Sequence, residues 1–310
     1  MDTMTYDYTE PVLSTKGQRM RDILANYIAL ISHRLPDDVT AKLEELSKIE
    51  VDPLQKLVYD TMMENQLLAN KLQRPSCQDT GALQFFIKCG AQFPLLGELN
   101  QILKDAVYRG TKKAPLRHNA VQTFDEYNTG MNIGDGIPSI FLQVDGNGTD
   151  ISMYVYMAGG GCTLPGAAKV LMPGEGYEGV VRFVMDRMTS YGINACPPLL
   201  VGVGVATSVE TAALNSKLAL MRRVDSENPN ANAAKLEHLL EDGINHIGLG
   251  PQGFGGQKSV MGVNVENTAR HPSTIGVAVS TGCWSHRRGL INFDEDLNYD
   301  LPLNKGVELS

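Results

Sequence analysis

The sequence of 310 residues has no excess of basic charge. Its 27 Lys and Arg stand against 35 Asp and Glu, a formal net charge of −8 with a pI near 5.3. Non-specific nucleic-acid binding draws most of its affinity from a basic face, so this balance argues against such a partner. A long apolar run is missing too. The longest, broken only by glycine, covers Leu199–Ala206, far short of the ~20 residues that cross a bilayer. The amino terminus, MDTMTYDYTEP, offers acids and tyrosines where a secretory leader needs a basic stretch and then an apolar one. Repeats, low-complexity tracts and a clear linker are also absent. The expectation is an acidic globular protein of the cytoplasm, whose 43% hydrophobic residues can fill a large core.

An even set of cysteines is the next absence. The five, Cys77, Cys89, Cys162, Cys196 and Cys283, form no disulfide framework in a chain without an export signal. Their thiols point to metal binding, catalysis or core packing.

Periodicity divides the chain. Apolar residues at Ile23, Leu24, Tyr27, Ile28 and Ile31 give one helical face, and Val39, Leu43, Leu46 and Ile49 a second. Asp52-Pro53 starts a third helix as N-cap and first-turn proline, and a fourth spans roughly Leu95 to Tyr108. Beyond Lys113–Arg117 the pattern alternates. Ser139–Val144 and Ile151–Met157 read as strands joined by Asp145-Gly146-Asn147-Gly148, the composition of a tight hairpin turn. Helices follow near 177–191, 208–221 and 231–249, with strands near 199–206, 260–265 and 274–280. The fold class expected is α+β, a single domain over 1–310. It has a helical lobe over about 17–112, a lobe of strands alternating with helices over about 113–293, and a tail over 294–310.

Three cysteines share a setting. Cys77 in Pro75-Ser76-Cys77-Gln78-Asp79, Cys196 in Ala195-Cys196-Pro197-Pro198 and Cys283 in Thr281-Gly282-Cys283-Trp284 all adjoin proline or glycine, which argues for loops. Thiolates suit an iron–sulfur cluster, yet separations of 119 and 87 residues leave packed or redox-sensitive thiols open as well. Cys89 follows the apolar run Phe85-Phe86-Ile87 and reads as a core residue; Cys162 could line a site without binding metal. Cations flank these stretches at Arg117-His118, Arg270-His271 and His286-Arg287-Arg288, a pattern that suits a carboxylate or phosphate pocket. Gly159-Gly160-Gly161 follows a strand and lets main-chain amides approach an anion. Gly248-Leu249-Gly250-Pro251-Gln252-Gly253 matches a dinucleotide fingerprint in letters alone, because it follows a helix and contains proline.

Taken together, Cys77-Gln78-Asp79-Thr80-Gly81, Pro115-Leu116-Arg117, Gly159–Gly161, Cys196-Pro197-Pro198 and Arg270-His271, with His271 12 residues before Cys283, resemble the iron–sulfur hydro-lyases of the class I fumarase and L-tartrate dehydratase family. The resemblance extends from about Gly17 to Arg288. It implies that Cys77, Cys196 and Cys283 hold a 4Fe-4S cluster with one iron open to substrate. It implies that Gln78, Asp79, Arg117, Gly160 and His271 contact a hydroxylated dicarboxylic acid, with Asp79 in proton handling. Ala158 before the glycine loop and Cys162-Thr163-Leu164-Pro165 after it favour the tartrate branch, which converts L(+)-tartrate to oxaloacetate, over fumarate and malate. One-chain members carry a further carboxy-terminal domain, so the resemblance also implies an alpha-type subunit completed by a beta subunit in an alpha2-beta2 assembly. A cysteine-nucleophile hydrolase and a non-catalytic anion-binding subunit are the more distant alternatives.

Overall fold

A computed structural model describes residues 6–309; part of the leader reading, over residues 1–5, lies outside them. Three helices open the chain: α1 Thr15–His33, α2 Asp37–Ile49 and α3 Pro53–Leu72. β1 Ala82–Cys89, α4 Leu99–Lys113, β2 Val121–Gln122, β3 Tyr127–Asn128, β4 Ser139–Val144 and β5 Ile151–Ala158 follow. Then come α5 Gly160–Thr163, β6 Ala167–Leu171, α6 Gly176–Tyr191, β7 Leu199–Ala206, α7 Val209–Met221 and α8 Ala231–Ile247. β8 Val260–Asn267, β9 Ile275–Gly282, β10 Arg288–Phe293 and β11 Tyr299–Asp300 complete the order. The mixed α/β class expected from the sequence is the class observed.

The division into lobes is different. The described residues form two compact units, one from 6–37, 66–159 and 287–309, the other from 38–65 and 160–286. The boundary expected at Lys113–Arg117 falls inside the first unit, because β5 pairs with both β1 and the distant β10 and so draws separate stretches of chain into one sheet.

In the first unit a five-stranded sheet runs β11-β10-β5-β1-β4. β4 and β5 do not form the expected hairpin: β1 lies between them, parallel to β4 and antiparallel to β5. Their glycine turn instead caps β1, with Ala91 N–H on the Gly146 carbonyl at 3.0 Å and Gln92 N–H on that of Gly148 at 3.1 Å. Leu83, Phe85 and Ile87, at the two-residue strand period, face a core with Met153 and Val155 of β5. Tyr27, Ile28 and Ile31 of α1 and Ile102, Leu103 and Ala106 of α4 complete it. α1 and α4 cross closely at Gly110, where a Cβ would stand 2.9 Å from Ile28. Cys89 is buried in this core, as its apolar surroundings predict, and burial raises its thiol pKa, with Asp150 adding to the rise.

The second unit has a four-stranded sheet, β6-β9-β7-β8, with β7 parallel to β8 and antiparallel to β9. β7 is buried throughout, and its alternation has a use. Leu199, Val201, Val203 and Val205 join Val180, Val184 and Met188 of α6 and Leu240 and Ile244 of α8 in one core. Gly202 and Gly204 face α7, where a Cβ would meet the Ser216 and Ala212 carbonyls at 2.2 and 1.9 Å. Glycine is therefore what lets α7 lie against the strand. No helix among the described residues is long and apolar enough to cross a membrane.

Candidate active site

The second unit brings several predicted residues to one edge. β7 and β9 are antiparallel, with Leu200 opposite Gly282, so the start of β7 and the end of β9 lie side by side. Cys196 precedes β7 and Cys283 follows β9, and the Trp284 N–H donates to the Cys196 carbonyl at 3.1 Å. Cys196 adopts φ 57°, ψ 72°, a left-handed turn between a short 3-10 turn and the strand. Its carbonyl neighbour Pro197 accepts from both the backbone and side-chain amides of Gln252, at 2.9 and 3.0 Å. That loop holds the rejected glycine motif: Gly248 ends α8 at φ 75°, so its glycine terminates a helix.

The glycine loop joins the same edge. α5 begins at Gly160; a Cβ on Gly161 would stand 3.3 Å from the Asn194 carbonyl, and Thr281 Oγ1 donates to the Cys162 carbonyl at 2.6 Å. Cys162 itself is buried in the core of this unit. It interacts electrostatically with Lys217 of α7, which sequence reasoning missed. Burial pushes its amine below the ordinary lysine range, and the charge of Cys162 works in the opposite direction. A lysine within the apolar stretch 212–221 was the available signal.

His271 is not at this edge. Ala206 pairs with Gly276, and the His271 N–H donates to Thr207 Oγ1 at 3.0 Å, which fixes it at the other end of β9. The eight residues of β9 separate it from Cys283, roughly 25 Å of strand. Three carbonyls, of His271, Pro272 and Thr274, accept from Arg270 Nη1 at 3.2, 3.4 and 3.1 Å and hold the turn closed. The Ser273 N–H donates to His271 Nδ1 at 3.1 Å, so the neutral ring carries its proton on Nε2 and presents a donor.

In the first unit the Cys77–Gly81 loop leaves α3 and is pinned at its start. Ser76 donates through N–H and Oγ to the Ser32 carbonyl, at 2.9 and 3.0 Å. The Asp79 carboxylate accepts the Gly81 N–H at 3.1 Å. Gly81, at φ 81°, presses on β5, where a Cβ would stand 2.8 Å from the backbone of Met157 and Ala158. Asn119 Nδ2 donates to the Gly81 carbonyl at 3.1 Å, and Thr80 Oγ1 donates to that of Arg117 at 3.4 Å. Thus Cys77, Gln78, Asp79 and the Arg117 segment come together, Gln78 and Arg117 exposed, Cys77 and Asp79 half-buried. None of the five cysteines is in a disulfide. Among the described residues no three His, Cys, Asp or Glu side chains converge on one metal ion. A cluster spreads its protein ligands over separate irons, so this does not bear on one.

These loops sit within a chain that belongs to the fumarate hydratase (Fumerase) family, whose model matches residues 21–292. The chain is 56% identical over 282 residues to the L(+)-tartrate dehydratase subunit alpha of Escherichia coli strain UTI89, covering 91% of this chain and 93% of that protein. The protein of the same name from Shigella boydii serotype 4 shows the same identity and coverage. A putative L(+)-tartrate dehydratase subunit alpha from Methanocaldococcus jannaschii is 30% identical over 275 residues, 88% of this chain and 96% of that protein.

Proposed function

We propose that this chain is the alpha subunit of a cytoplasmic hydro-lyase that removes water from L(+)-tartrate to give oxaloacetate. Its 56% identity over 91% of its length to an L(+)-tartrate dehydratase subunit alpha carries the reading. Cys77, Cys196 and Cys283 are the proposed protein ligands of a 4Fe-4S cluster. Three cysteines on loops and outside any disulfide, two of them tied at one sheet edge, fit that group by donor chemistry and exposure. When bound, the cluster supplies a Lewis acid for the departing hydroxyl.

The protein's own groups do the rest. Gln78 and Arg117, exposed beside Asp79, grip the carboxylates of the diacid, and the guanidinium stabilises charge that develops on them. Asp79, its carboxylate oriented by the Gly81 amide, handles the proton at the leaving hydroxyl. Gly160, with no side chain, lets a carboxylate approach the main chain. The length of β9 supports assigning His271 to the pocket of a second copy, where its Nε2–H donates to the diacid. A beta subunit completes the site in an alpha2-beta2 assembly.

The test is anaerobic reconstitution of the chain with its beta partner, followed by oxaloacetate formation from L(+)-tartrate. Turnover with brown colour and loss of activity in air is expected. Brisk conversion of fumarate to malate without tartrate turnover overturns the substrate, and activity in a colourless, air-stable protein overturns the cluster.

A further inference from the structure

We propose that Arg287 is a second anion-gripping arginine of this site, holding a carboxylate of the dicarboxylic substrate. The inference rests on the hydro-lyase reading above. Arg287 follows Cys283 by four residues and immediately precedes β10. It is 1% exposed and lies in the first unit with Gln78, Asp79 and Arg117. Its Nη2 donates to the Asp79 carbonyl at 2.6 Å. Its Nε and Nη1 are buried and have no hydrogen-bond partner among the described residues. No described carboxylate lies within ion-pair distance of it.

A guanidinium is a permanent cation with five N–H donors in a rigid fork. Burying it against one neutral carbonyl is costly, because both its charge and most of its donors then go uncompensated. Two other arginines with structural work show the contrast. Arg222 meets Glu237 at 2.8 Å and Glu266 at 3.6 Å, and Arg21 meets Asp22 at 2.8 Å and Asp105 at 3.3 Å. Those cations are neutralised from within the fold, whereas Arg287 is anchored by one bond and keeps donors for a group from outside it. The anchor identifies the group. It is the carbonyl of Asp79, beside Gln78 and one residue from Thr80, which ties in the Arg117 backbone. A planar carboxylate is what a fork of this kind grips at two points.

The experiment uses the anaerobically reconstituted alpha–beta complex with Arg287→Lys and Arg287→Met. It measures KM and kcat for L(+)-tartrate, the inhibition constant of succinate, iron content and the spin-resonance spectrum. Arg287→Lys is expected to raise the KM and the succinate inhibition constant at least tenfold with iron and spectrum unchanged, and Arg287→Met to raise them further. If Arg287→Met does not fold, Arg287→Lys decides alone, provided its melting midpoint is unchanged. Constants within twofold of wild type overturn the proposal. So does an altered spectrum with unchanged succinate inhibition, which assigns the guanidinium to the cluster. A wild-type complex that dehydrates malate but not tartrate overturns the substrate reading only, since the dependence of succinate inhibition on Arg287 still stands or falls by itself.

Discussion

Replacing Gly282 with alanine probes whether the Cys283 loop is set by packing against a buried ring. A Cβ at Gly282 would stand 2.2 Å from Nδ1 and 2.8 Å from Cε1 of His286, distances no carbon tolerates. The ring is 1% exposed, and its Nε2–H donates to the Leu220 carbonyl at 2.9 Å, so it must move into packed surroundings and surrender that bond. Overpacking of this kind costs about 1–3 kcal/mol, and the lost hydrogen bond about 1 kcal/mol more. The sum, about 2–4 kcal/mol, lowers the melting midpoint by roughly 3–6 °C. Gly97→Ala is the control, because its added Cβ meets nothing within 4 Å; it is expected to stay within about 0.5 kcal/mol of wild type. Thermal and urea unfolding of both variants, with iron content after anaerobic reconstitution, form the assay. Gly282→Ala should also take up less iron, since Cys283 is the next residue. Unfolding no different from Gly97→Ala, with full iron, would refute the packing argument.

Glu237 is buried, accepts from Arg222 Nη1 at 2.8 Å and receives the N–H groups of Val265 and Asn228 at 2.7 and 2.8 Å. Glu237→Gln leaves the partly buried Arg222 with only its longer ion pair to Glu266, and urea titration should show a loss of about 1–3 kcal/mol; a loss under ~0.5 kcal/mol would mean the pair is not desolvated. Cys77→Ser should abolish iron uptake while Cys89→Ala, deep in the first core, leaves it intact and costs only stability; equal iron loss in both would break the ligand assignment. Burial holds the His33 pKa below its ordinary 6.5, so the folded state binds fewer protons than the unfolded one. The stability this contributes is present above pH 6.5 and is lost as the pH falls through the depressed value. His33→Leu should therefore flatten the decline in unfolding free energy between about pH 7 and 5, and identical slopes would contradict the shift.

The helices were readable because each buries one stripe: Met20, Leu24, Tyr27, Ile28 and Ile31 of α1 are all buried. Strand partnership was not, because it is non-local. Phe85-Phe86-Ile87 signalled a hydrophobic segment, yet nothing nearby in sequence says that β1 inserts between β4 and β5. β10 escaped notice for a similar reason, since Arg288 and Asn292 interrupt its apolar pattern. The proline and glycine beside Cys196 and Cys283 correctly marked loops, and their meeting follows from the antiparallel pairing of β7 with β9. The separation of His271 from Cys283 could have been read, because a strand over 274–280 was already expected between them. The open donors of Arg287 could not, since only the fold shows which arginines find carboxylates.

The threading of the first unit through three stretches of chain bears on how the polypeptide matures. β10 pairs with β5 across more than a hundred intervening residues, so it is synthesised well after its partner strand. Until then β5 has a bare margin, open to wrong partners, and a chain halted before residue 287 never covers it. The second unit's sheet is complete by Gly282 and can close earlier. A nascent chain thus carries one finished unit and one unfinished unit until the stretch from Arg287 through β10 is made.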